Sequence, residues 1–201
     1  MYENRIFARD VKHEVAGLFP DRWSPRAFEP RTLCQDQIEA LFEAARWTPS
    51  CFNEQPWRFV YGAIGENEVM LNALAPKNVL WVKNASLLIF CLAKPDFKLT
   101  GENNGWAEFD LGAACMSIAL QARHLGLFAH AMAGFDEDAA LKALELDPGY
   151  WRMKTAMAVG YRASSKTLDP SLQGTELASG RKDSTEIAAR FGQKHKDIFK
   201  P

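Results

Sequence analysis

The sequence predicts an α+β domain in which one sheet is covered by helices on both faces. Three observations carry the expectation. The run "ASLLIFCLA" (85–93) is apolar throughout, as a strand buried on both sides must be. "AEFDLGAACMSIALQARHLG" (107–126) reads as a long helix stopped by Gly126, with Arg123 and His124 near the negative end of its dipole. Strand-like stretches are separated by helix-length connections, which suits a layered sheet.

In chain order, Ile6, Phe7, Val11, Val15 and Leu18 fall at helical spacing, so a helix is expected over residues 3–18, stopped by Pro20. Pro25 and Pro30 keep the next stretch extended or turning. A second helix starts at Thr32 or Asp36, presents Ile38, Leu41, Phe42 and Ala45 on one stripe, and ends at Pro49. "WRFVYG" (57–62) is rich in aromatic and β-branched residues and reads as a strand. A polar helix around 65–75, the turn-prone "APKN" and the apolar strand follow. Residues 94–105 are loop-like, with Gly, Asn and Pro throughout; connections of that length are uncommon unless they function or move. In the long helix, the small residues Gly112, Ala113, Ala114, Ser117 and Ala119 permit a close backbone approach. Beyond it come a short strand (128–135), a helix capped by Asp136, a last strand (155–161), a turn-rich stretch from 163 and a short helix over 184–192.

The totals narrow the class. A chain of 201 residues with 47% hydrophobic and 24% charged content suits one globular domain, read here as 1–201 with an N-terminal helix (1–19) and a C-terminal extension (163–201). A formal charge of −1 argues against a dominant nucleic-acid surface but leaves room for a local anion site. Cys34, Cys51, Cys91 and Cys115 are widely spaced and form no C-x-x-C pair. With no secretory leader, a reducing cytoplasmic setting is expected. No run approaches the ~18 apolar residues of a spanning helix, so no membrane partner is expected.

No phosphate loop, dinucleotide glycine fingerprint, H-E-x-x-H or G-x-S-x-G occurs, and the histidines lack zinc-ligand spacing. His130, inside a strand, reads as a satisfied core or edge histidine. Cys51 reads as a packing residue without a visible activating partner. What remains is a dispersed set of anion and amide groups. Arg22, Ser24 and Arg26 alternate in "DRWSPRAFEP" and so point the same way in an extended segment, offering two guanidinium forks and a hydroxyl to phosphate oxygens. "PSCFNEQPW" (49–57) adds Ser50, Asn53 and Gln55, and "SGRK" (179–182) adds positive charge. Each cluster alone also fits an ordinary solvated surface.

Their order is informative. An Arg-Ser-Arg segment, then P-S-x-x-N-x-Q-P-W, then "GAACMSIALQARHLGL" running into "AGFD", and finally "GRK", resembles the nitroreductase family of FMN-dependent oxidoreductases over about residues 20–190. The resemblance implies a three-layer fold with a central, mostly antiparallel sheet, and an intertwined homodimer with two FMN sites at its interface. By the same resemblance, Arg22, Trp23, Ser24 and Arg26 bind FMN at its phosphate and pyrimidine edge. Pro49, Ser50, Cys51 and Asn53 approach the flavin of the partner subunit. Asn78 hydrogen-bonds the ring, Ala133 and Gly134 lie against it with a main-chain N–H facing N5, and Arg181 with Lys182 completes the phosphate contacts. Gln55 and Trp57 also match, Trp57 reading as core.

The chain departs from the family pattern in places. Ala133 stands where some relatives carry glutamate, Cys51 where serine is common, Ser179 where lysine occurs, and Asp183 where proline is frequent. The implied activity is an FMN-dependent NAD(P)H oxidoreductase: NADH or NADPH reduces FMN by hydride transfer, and a nitroaromatic, quinone or similar small-molecule acceptor then takes the electrons on the same face. No dedicated catalytic side chain and no metal are implied. A more selective reductase of an enone, pteridine or halogenated aromatic, and a flavin-binding protein without turnover, are the alternatives. Residues 94–108, with Phe97, Trp106 and Phe109, are the candidate lid.

Overall fold

The structure is a computed structural model that describes residues 9–192, 198 and 199. Its elements are α1 (Leu18–Asp21), α2 (Gln35–Arg46), β1 (Trp57–Ala63), α3 (Glu68–Leu71), α4 (Pro76–Val82), β2 (Leu87–Ala93), α5 (Ala107–His124), β3 (Phe128–Met132), α6 (Glu137–Ala143), β4 (Arg152–Gly160), α7 (Pro170–Gln173) and α8 (Ser184–Ile187). The four strands form one sheet in the order β1-β2-β4-β3, every neighbouring pair antiparallel. Among the described residues no helix is long and apolar enough to cross a membrane.

All seven residues of β2 are buried, which is what a strand central in its sheet and covered on both faces requires. Alternation divides them between two cores. Leu88, Phe90 and Leu92 pack with Trp23, Phe28, Trp81, Phe128 and Leu141. Leu87, Ile89, Cys91 and Ala93 pack on the other face with Ile38 and Leu41 of α2 and Leu111, Ala114 and Ile118 of α5. Trp57 belongs to this second core. Phe59 and Tyr61, two apart on β1, both meet Phe42 of α2, at ring-centroid distances of 5.7 and 5.1 Å. Burial between layers, rather than local propensity, holds these elements.

The N-terminal expectation needs correction. Residues 1–8 of the expected helix lie outside the described set, and residues 9–16 are not helical. Val11 and Val15 remain 38% and 50% exposed, so the apolar stripe that was to drive the helix has no described core to bury against. Pro20 lies inside α1 rather than stopping a helix, because first-turn residues have no intrahelical N–H bond to lose. The expected helix over 65–75 shortens to α3, and "APKN", expected as a turn, instead opens α4 with Pro76 at its first position. α2 ends at Arg46, three residues before Pro49, and α8 stops at Ile187 rather than 192. β3 ends at Met132, leaving Ala133, Gly134 and Phe135 free for other contacts. β4 begins earlier than expected, at Arg152.

Gly126 sits at φ 78° just beyond α5, a left-handed stop that glycine adopts without strain. Asp136 caps α6 by accepting a hydrogen bond from the Ala139 N–H at 2.9 Å. Asp136→Ala removes that acceptor and is expected to cost about 1 kcal/mol in urea unfolding. An unchanged midpoint would contradict the cap.

Candidate functional site

The segment after α1 is extended, and its burial alternates. Trp23 and Ala27 are buried, whereas Arg22, Ser24 and Arg26 are half-buried on the other side. Trp23 meets Phe128 edge-on at 6.2 Å, and Phe28 stacks on Trp81 at 6.1 Å. Arg26 and Ala27 donate their backbone N–H groups to the buried Glu176 carboxylate at 2.9–3.0 Å. The Ala163 N–H bonds the Ala27 carbonyl at 2.9 Å. Nothing in the sequence around Glu176 announces this bolt, because its partners lie about 150 positions away.

His130 on β3 is a structural histidine. Its Nδ1 donates to the Pro25 carbonyl at 3.0 Å, and its ring lies 4.6 Å from that of Trp81. Burial lowers its pKa from the ordinary value, the Pro25 hydrogen bond opposing in part. As pH falls through about 6.5 the unfolded chain takes up a proton that folded His130 resists. This contribution to stability is therefore full above about pH 6.5 and is lost as pH falls toward the folded pKa. The thermal midpoint should drop more between about pH 7.5 and pH 5 in the wild type than in His130→Asn. Parallel profiles would refute the assignment.

Arg22 opens onto a cleft of about 830 Å³ whose lining includes Arg9, Arg22, Met116, Arg181 and Lys182. Burial, then the neighbouring Arg181 and Arg9 cations, hold the Arg22 pKa below its ordinary value. Arg9 is lowered in the same way by burial and by Arg181, with Asp21 opposing. Arg9 Nη1 donates to the Arg22 carbonyl at 3.0 Å, while its Nε and Nη2 are shielded from solvent and have no hydrogen-bond partner among the described residues. Arg181 Nη1 is oriented by the Gly180 carbonyl at 2.7 Å and Ser179 Oγ at 3.1 Å. Ser179 thus holds a cation in place of supplying one. Asp183 caps α8 through Thr185 and Glu186, which accounts for an acid at that position. Arg9 was missed in the sequence because it fell among the charged residues of an expected helix.

Asn78 and Gly134 meet directly. Asn78 Nδ2 donates to the Gly134 carbonyl at 2.9 Å, and the Ala75 N–H bonds the same oxygen at 2.9 Å. A Cβ on Gly134 would stand 2.6 Å from Asn78 Nδ2, so a side chain there would break the junction. The Gly134 N–H makes no hydrogen bond to the described residues. Ala133 beside it is exposed.

Pro49, Ser50, Cys51 and Asn53 do not line the arginine cleft. Their segment is fastened to α5 instead, at Cys51, whose N–H donates to the buried Asp110 carboxylate at 3.0 Å, and just before Pro49, where the Thr48 and Ser117 hydroxyls pair at 2.7 Å. Phe52, Asn53 and Gln55 take positive φ of 50°, 58° and 49°, a cluster of strained non-glycine residues. The candidate lid, a loop only to Trp106 because α5 begins at Ala107, also keeps to this side. Phe97 meets Phe52 edge-on at 6.0 Å, and the Lys98 N–H donates to Glu54 at 2.9 Å. Asp96 is held by Lys94 at 3.3 Å and by the Tyr150 hydroxyl. Neither that loop nor the 49–53 segment lines the cleft of its own chain.

The nitroreductase family model matches residues 20–68 and 62–161. The chain belongs to the nitroreductase family. A Rhodopseudomonas palustris member provisionally named NADH dehydrogenase/NAD(P)H nitroreductase is 29% identical over 168 residues, covering 74% of this chain and 85% of that protein. An oxidoreductase crystallised with FMN is 32% identical, with a TM-score of 0.86 over 96% of this chain and all of the other. A Desulfovibrio desulfuricans structure, provisionally assigned as a nitroreductase and bound to FMN, shares the fold at 21% identity, with a TM-score of 0.71 over 86% of this nitroreductase-family chain and 94% of the other.

Proposed function

We propose that the chain is an FMN-dependent NAD(P)H oxidoreductase that reduces nitroaromatic, quinone or similar small acceptors, acting as a homodimer through one FMN-binding unit per chain. The observation that carries it is the convergence of Arg22, Arg181 and Lys182 on one cleft, where burial and then the Arg181 cation hold the Arg22 pKa down. Like charges gather in this way where an anion completes the site. A phosphate monoester, nearly dianionic at neutral pH, fits that donor set.

Arg22 and Arg181, with Lys182, hold the phosphate end, while Ser24 and Arg26, on the same side of the segment as Arg22, continue toward the pyrimidine edge. Asn78 serves the ring, and the unengaged Gly134 N–H is the donor offered to it, Ala133 lying beside it. When bound, FMN supplies a carrier that accepts a hydride from NADH or NADPH and delivers it to the acceptor. The protein binds, orients and excludes water, and no side chain is assigned a catalytic proton.

Pro49, Ser50, Cys51 and Asn53 serve the flavin of the partner subunit. Supporting this, Phe109 and Met116 on one face of α5 are 71% and 38% exposed, with Trp106 just before the helix at 57% and Phe52 at 87%. A second copy covers such a face. A nitroaromatic and a quinone, each added anaerobically with NADPH or NADH, should both accelerate nicotinamide oxidation by the flavin-loaded protein. Bound flavin with no oxidation of either nicotinamide would overturn the enzymatic reading in favour of a flavin-binding protein.

A further inference from the structure

The cleft asks for more than the two basic segments already assigned to it. Arg9 precedes the matched region, which begins at residue 20, so family membership says nothing of it. A guanidinium carries five N–H donors in a fixed fork. In Arg9 one nitrogen is committed to the Arg22 carbonyl, whereas Nε and Nη2 are shielded from water and unpartnered among the described residues. Such donors are costly to leave unmet.

The acids near Arg9 do not meet the need. Asp10 and Asp183 lie 3.9 and 3.5 Å from Lys12 Nζ, and Asp183 is also engaged by the Thr185 N–H. Asp21 is buried and attracts Arg9, yet its Oδ1 has no hydrogen-bond partner among the described residues. Arg22 and Arg181, meanwhile, repel Arg9 within the same cleft.

We infer that Arg9 is a third guanidinium ligand of the flavin nucleotide's phosphate, supplied by the N-terminal segment and aimed by its bond to the Arg22 carbonyl. This rests on the FMN reading above and goes beyond it. Three guanidiniums around one phosphate make the site selective for the phosphorylated flavin over riboflavin, which shares the ring and lacks the charge. They also make Arg9 part of the cofactor site, because its two shielded nitrogens have no other acceptor among the described residues.

The test titrates flavin-free protein with FMN and, separately, riboflavin, following flavin fluorescence, for the wild type, Arg9→Gln, Arg9→Lys and Arg22→Gln. Arg9→Gln should weaken FMN by about ten-fold or more, the loss of one charge-assisted hydrogen bond, and change riboflavin little. Arg9→Lys, which keeps the charge but not the fork, should fall between and guards against a glutamine variant that misfolds. Weaker FMN with Arg22→Gln but not with either Arg9 variant would overturn the inference and leave the FMN site standing. Equal weakening of FMN and riboflavin by Arg9→Gln would also overturn it, since Arg9 would then act only through the Arg22 backbone. A wild type that binds neither flavin would overturn both readings.

Discussion

Arg22→Gln or Arg181→Gln should each weaken FMN binding by about 10- to 150-fold, while the flavin-free proteins unfold near the wild-type midpoint. The range corresponds to about 1.5–3 kcal/mol for a charge-assisted hydrogen bond to phosphate. Stability is spared for a physical reason. In the flavin-free chain burial first, and then repulsion between these guanidiniums, holds the Arg9 and Arg22 pKa values down. Removing one relieves that repulsion, offsetting the packing lost with its stem. The signature is therefore a large change in affinity beside a small change in folding. Unchanged FMN affinity in both variants would remove the phosphate from this cleft.

Glu176→Ala should do the reverse, lowering the stability of the flavin-free protein by about 3 kcal/mol in urea unfolding. It strands the Arg26 and Ala27 N–H groups, which now share one carboxylate at 2.9–3.0 Å, Ala27 being fully buried. Glu176→Gln keeps one acceptor oxygen and should lose about half as much. FMN affinity should fall with stability in both, because Arg26 leaves its register. A wild-type midpoint in Glu176→Ala would mean that the β3 and β4 contacts alone hold the segment.

The layered fold was legible where burial writes itself into local composition. The β2 run, the α5 pattern ending at Gly126 and the Asp136 cap each depend on residues a few positions apart. So does the alternation that turns Arg22, Ser24 and Arg26 to one side. Asn78 and Gly134 were singled out separately, by resemblance, and they prove to share a hydrogen bond. The illegible parts depend on distant partners. Val11 and Val15 carry a helical spacing, yet a spacing forms a helix only when something covers it. Glu176 looks like any surface acid until the chain returns it to Arg26. Arg9 becomes informative only beside Arg22 and Arg181.

The most direct test is the visible absorption spectrum of the purified protein incubated with FMN and freed of unbound flavin, repeated without oxygen after adding NADH or NADPH. The account predicts a bound-flavin spectrum that bleaches with at least one of the two nicotinamides. A protein that retains no flavin would contradict it at its centre, because the convergent arginines would then have no cofactor to hold.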